Sequence, residues 1–146
     1  MITITNKIHV GLSTTYEKII TPADSYITKS VKIENLMSTP SLLATVIEIS
    51  CNMLKKFIPS DYLTVVTNFQ SYHMHPTMVG EKVMFKMTVE SIENNRVSMS
   101  FAGYDCKGEF CSGILEKAIV KEEKLIEDAI SRVNVYKDWL TVKMDA

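Results

Sequence analysis

Two periods divide this chain. Tyr62 to Met74, Lys82 to Ile92, Arg96 to Cys106 and Phe110 to Val120 each alternate apolar and polar residues, the pattern of a strand with one buried face. Val65, Thr67, Phe69, Ser71 and His73 share one side of the first. Val83, Phe85, Met87 and Val89 share one side of the second, and Val97, Met99 and Phe101 one side of the third. Asn94-Asn95 and the Lys107-Gly108 region separate these segments with residues suited to hairpin turns. Gly113 inside the last strand predicts a bulge or a close backbone approach. Thr15 to Thr21 forms an earlier strand ending at Pro22, and Ala23 to Leu36 is a polar, weakly patterned connector.

Helical periodicity governs two stretches. From Met37 to Phe57, Leu42, Leu43, Val46, Ile47, Ile49, Met53, Leu54 and Phe57 cover most of a helix circumference, so the helix is expected to be largely buried. Ser38 or Thr39 caps its start, Pro40 fits the first turn, and Pro59 ends it. Ser41, Thr45, Glu48 and Asn52 recur as one narrow polar stripe. From about 122 to 140, Leu125, Ile126, Ala129, Ile130, Val133 and Tyr136 form the apolar face of a second helix, laid on the domain or on a neighbour. A strand, a buried helix and an antiparallel meander resemble the hotdog fold. The expected class is α+β: a curled antiparallel sheet of about five strands wrapped around a central helix, with an amphipathic helix at the C-terminal end.

Composition narrows the setting. A chain of 146 residues reads as one domain, residues 1–146, and a net charge of -1 gives no reason to expect nucleic acid as a partner. The start lacks the pattern of a signal peptide, and the longest apolar run is broken by Glu48, so a cytoplasmic protein without a membrane span is expected. Cys51, Cys106 and Cys111 are an odd number without zinc spacing, consistent with reduced thiols.

The candidate chemistry lies in two segments, STPSLLATVIE at the first helix and HMHPTMVG after the following strand. The second resembles the H-x-x-P-T-x-x-G segment of hotdog thioesterases, particularly the group similar to fluoroacetyl-CoA thioesterase. His73, Pro76, Thr77 and Gly80 stand in register with it. The first is similar to that family's Thr-Pro start followed by a helix carrying a glutamate, and the resemblance spans roughly residues 11 to 121. Thr39 precedes Glu48 by nine positions where the family's spacing is eight. Anchoring Thr39 therefore puts Ile47 in the acid's column, and anchoring Glu48 puts Pro40 in the threonine's; Glu48 is the acid on this helix.

The resemblance implies an acyl-CoA thioesterase for a small or medium acyl group. Glu48 is expected as general base or nucleophile and His73 as proton shuttle. Thr39 or Ser38 would hold the acyl group or the water. N–H groups around Ser41 and Leu42 are expected oxyanion donors at the positive helix end, and Thr77 and Gly80 are expected to shape the substrate site. The lid phenylalanine tied to fluoroacetyl specificity has no counterpart here, since no phenylalanine precedes Phe57. No cofactor is expected beyond coenzyme A as part of the substrate. No metal is expected either, because His73 and His75 face opposite ways along a strand. An apolar strand carrying His73 at an open edge predicts a homodimer or a dimer of dimers. Two other readings stay open: a non-catalytic acyl-CoA-binding hotdog protein, and a hotdog hydratase, although no D-x-N-P-x-H segment is present.

Overall fold

The computed structural model describes residues 7–26 and 33–145. In chain order it contains β1 (Ser13–Ile19), a 3-10 turn at Pro22–Ser25, α1 (Thr39–Lys55), β2 (Tyr62–His73), β3 (Lys82–Glu93), β4 (Arg96–Asp105), β5 (Gly108–Lys121) and α2 (Glu122–Asp145). Every alternating segment is a strand. The first begins and ends two residues earlier than its pattern suggested, because Ile20 leaves the ladder to enter the core. Residues 27–32 of the polar connector lie outside the described residues.

The strands form one antiparallel sheet in the order β1-β3-β4-β5-β2. β1 and β2 are its two free edges, so the sheet is open. The expectation of a curled sheet wrapped around the helix is corrected on this point. The helix itself explains the difference. Only Leu42, Val46, Ile49, Ser50, Met53 and Leu54 of α1 are buried, while Glu48 and Asn52 are exposed and Leu43 and Ile47 are only half-buried. One apolar stripe needs cover from one sheet face, and the polar stripe remains in contact with water.

That sheet face is built by the alternation read from the sequence. Val83, Phe85, Met87 and Val89 from β3 meet Val97, Met99 and Phe101 from β4 and Phe110, Leu115 and Ile119 from β5. Lys117 shares this inward phase and is fully buried, its ammonium donating to Ser50 Oγ at 3.1 Å and Cys51 Sγ at 3.0 Å. The β3–β4 turn places Asn94 at φ 57, a conformation asparagine tolerates. In the β4–β5 turn, Lys107 N–H donates to Asp105 Oδ1 at 2.8 Å and Gly108 takes φ 125. Cys106 is exposed and Cys111 buried, both as free thiols, and burial raises the Cys111 thiol to about 12.

β2 departs from simple alternation at one point. Its pairing with β5 shifts between Val66 and Asn68, a bulge at Thr67. The Thr67 hydroxyl donates to Glu116 Oε1 at 2.6 Å, and that carboxylate also takes a 2.9 Å ion pair from Arg96 on the outer face. The bulge resets the phase, so Thr67 does not share a face with Phe69, as strict alternation had it. Phe69 instead turns to the core, edge-on to Phe101 with ring centroids 5.7 Å apart. His73, four residues further on, is edge-on to Phe110 at 6.2 Å.

Candidate active site

The start of α1 and the end of β2 meet at one point. Ser38 caps the helix: its Oγ accepts from Ser41 N–H at 3.1 Å and donates to the Tyr26 carbonyl at 2.8 Å. Its own carbonyl accepts from Leu42 N–H at 3.0 Å. The donors expected at Ser41 and Leu42 are therefore already used by Ser38, and Leu42 itself is buried in the core. Pro40 has no N–H, which leaves the Thr39 N–H as the first-turn donor without a partner among the described residues.

Thr39 Oγ1 lies 2.9 Å from His73 Nδ1. The other imidazole nitrogen, Nε2, is buried and has no hydrogen-bond partner among the described residues. Burial holds the His73 pKa below its ordinary value of 6.5, so the ring is neutral at neutral pH. The pair borders a cavity of about 270 Å³ lined by Ile33, Leu36, Met37, Ser38, Met74 and His75, among others. Its exposed lining is mostly apolar, and Ser38, Thr39, His73 and His75 are its polar residues.

The H-x-x-P-T-x-x-G segment holds this arrangement by its backbone. The Thr77 carbonyl accepts from Met37 N–H at 2.8 Å, and Leu36 pairs with Met78. Gly80 takes φ 97 and donates to the Ile20 carbonyl at 2.8 Å. Thr77 is completely buried and Gly80 is absent from the cavity lining, so both fix the loop beside the helix start rather than face the cavity. His75 is exposed at the rim.

Glu48 is not brought to His73 within one chain. It lines a second cavity of about 360 Å³ with Tyr16, Lys18, Asp24, Ser41, Thr45 and Asn52. Asp24 is the residue sequence reasoning missed. Its carboxylate accepts from Ser41 Oγ at 2.6 Å and Thr21 N–H at 2.8 Å and pairs with Lys18 Nζ at 3.1 Å, while its carbonyl accepts from Ser38 N–H at 2.8 Å. The run Thr21-Pro22-Ala23-Asp24, a hydroxyl residue with an acid three positions later, carried the signal of a turn start.

Burial alone pushes the Asp24 carboxyl up, but the Ser41 hydroxyl, the Thr21 N–H and Lys18 together outweigh it and hold it below the usual carboxylate value. A depressed folded pKa contributes stability that is present above the unfolded pKa, near 3.9, and lost as pH falls through the folded value. Asp24→Asn should therefore lower stability at pH 7 by roughly 1–3 kcal/mol, the scale of charge-assisted hydrogen bonds. The gap to the wild type should shrink below about pH 4. Thermal melts of both proteins at pH 7 and pH 3 measure this; an equal gap at both pH values would contradict it.

No group of three or more His, Cys, Asp or Glu side chains among the described residues is placed to hold a metal. No helix among them is long and apolar enough to cross a membrane.

An open antiparallel sheet with a capped helix on one face is the architecture of the hotdog fold, and a threonine–histidine pair stands at that helix start. The family model described as fluoroacetyl-CoA-specific thioesterase (FlK) matches residues 20–123, and the chain belongs to that family. No curated protein matched. Among solved structures, a hot-dog-like protein from Thermanaerovibrio acidaminovorans superposes with a TM-score of 0.80 at 24% identity, covering 90% of this chain and 97% of that one. A point mutant of the fluoroacetyl-CoA-specific thioesterase FlK gives 0.78 at 17% identity, covering 86% and 97%. A hypothetical Thermus thermophilus protein described as a thioesterase superfamily member gives 0.76 at 18%, covering 92% and 97%. At these identities the superpositions establish the fold; the family match establishes the enzyme class.

Proposed function

We propose that this enzyme hydrolyses a small or medium acyl-CoA thioester at the Thr39–His73 pair. The observation that carries the reading is the 2.9 Å contact between Thr39 Oγ1 and His73 Nδ1 in the lining of a mostly apolar cavity. Because Nε2 is sealed from solvent, proton traffic runs through Nδ1 and the threonine hydroxyl. A water held by Thr39 attacks the thioester carbonyl as its proton passes through the hydroxyl to Nδ1. The Thr39 N–H and the positive end of α1 stabilise the oxyanion. When the carbon–sulfur bond breaks, the imidazolium returns that proton to the coenzyme A thiolate, leaving a carboxylic acid and the free thiol. The apolar walls of Met37, Met74, Leu36 and Ile33 take the acyl chain.

Glu48 sits outside this pair in a single protomer, so its part as base or nucleophile depends on a geometry one chain does not provide. A homodimer formed by pairing two β2 edges is part of the same proposal. β2 is an open edge, it ends at His73, and it exposes Val66 and Tyr72.

The test is a panel of acyl-CoA hydrolysis rates with free-thiol detection, run beside Thr39→Val and Glu48→Gln. Thr39→Val should cost about 10²-fold in turnover, and Glu48→Gln should stay within about threefold, the scale of surface substitutions. No hydrolysis of any acyl-CoA by the wild type would leave the non-catalytic binding reading standing. A large loss in Glu48→Gln would return that carboxylate to the reaction. A stable acyl adduct on Thr39, seen by mass spectrometry, would replace the attacking water with the threonine oxygen.

A further inference from the structure

α2 has no part in the site, and the family match stops at residue 123, one residue after the helix begins. It runs for 24 residues, about 36 Å at 1.5 Å per residue, from the end of β5. Its apolar face is bare: Leu125, Ile126, Ile130, Val133, Tyr136 and Trp139 are all exposed, at 38–58% of their surface. Six acidic residues against four basic ones between 122 and 145 do not suit an anionic membrane surface.

The spacing of that face says what covers it. Ile126, Ala129, Val133, Tyr136 and Leu140 follow steps of three, four, three and four, the seam of a helix packed along another helix. Leu125, Arg132 and Trp139 flank the seam on one side, and Glu123, Ile130 and Lys137 on the other.

The flanking charges choose the direction. Against a parallel copy, Arg132 would face Lys137 on both sides of the seam. Against an antiparallel copy centred near Ser131, Glu123 meets Lys137 twice, Leu125 meets Trp139 twice, and Ile130 meets its own copy. A single like-charged contact remains, Arg132 against itself on the dyad.

We propose that α2 is an interaction surface for the α2 helix of a second copy, packed antiparallel through Ile126, Ala129, Val133, Tyr136 and Leu140. Two such helices also cover the stacked Tyr136 and Trp139 rings, whose centroids lie 6.2 Å apart. The surface is separate from the thioester chemistry, so hydrolysis and association are read independently.

The full chain is examined by sedimentation and light scattering at micromolar concentration, beside I126D/V133D and the charge variants E123K, K137E and E123K/K137E. Because α2 joins two β2-paired dimers, the double aspartate variant should fall from a dimer of dimers to a dimer, half the wild-type mass, while hydrolysing the thioester at the wild-type rate. Each single charge variant should dissociate about tenfold more readily, and the double swap should restore the wild-type affinity, because only the antiparallel alignment joins these positions. An unchanged mass in I126D/V133D with the helix content retained would overturn the proposal, and so would a double swap no better than either single variant. If I126D/V133D fails to fold, the charge-swap cycle decides by itself.

Discussion

His73→Ala lowers thioester hydrolysis by about 10²-fold or more, the scale for losing a positioned acid or base. The protein should stay folded, since the ring is half-buried and its packing partner Phe110 is also held by Phe85 at 5.9 Å. Steady-state rates with the best acyl-CoA of the panel, beside the melting temperature of the same preparation, measure both. His75→Ala is the control: its exposed ring lies at the rim and should change the rate several-fold at most. Equal losses in the two variants would remove the assignment of Nδ1 as the base. The pH profile gives a second reading. Burial lowers the His73 pKa, so the acid limb of the rate should fall below pH 6.5, as the ring protonates and can no longer accept. In His73→Ala the residual activity should lose that limb.

Gly113→Ala should lower stability by about 1–3 kcal/mol, the usual cost of forcing atoms into a filled space. An added Cβ would run into the Gln70 backbone carbonyl of β2 and lie 2.8 Å from the Phe101 ring. The ring can turn, but the carbonyl belongs to the strand that ends three residues later at His73, so β2 must shift. Hydrolysis should then fall by more than the loss of folded protein explains. Denaturant titration and rates corrected for the folded fraction check this. A wild-type midpoint would mean that β2 and β5 are free to separate at this point, against the close approach seen.

Much of this was legible in the residues because it rests on local rules. Period two from Lys82 to Ile92 and from Arg96 onward places strands whatever the rest of the chain does, and Asn94-Asn95 turns them. Pro40 behind a capping serine starts a helix, and Gly113 announced the close approach that the structure contains. His73, Pro76, Thr77 and Gly80 pointed to the family, and Thr39 and His73 both stood among the candidate residues.

The rest depended on residues far apart in sequence. Whether the sheet closes is decided by which strands end as edges, and no single segment carries that information. The bulge at Thr67 is tied to Glu116 and Arg96 across the sheet, and it is the bulge that resets the strand's phase before His73. Asp24 lay in the polar connector and Lys117 in the last strand, in phase with Leu115 and Ile119, and neither was singled out from the sequence. Only packing showed the first holding Ser38 and Ser41 and the second buried under Ser50 and Cys51. Glu48 was chosen as the acid on this helix despite a spacing of nine from Thr39, and a helix register fixes the direction of a side chain only relative to its own axis. Which wall that side chain faces is set by the neighbouring elements, and in this chain they place it beside Lys18 and Asp24.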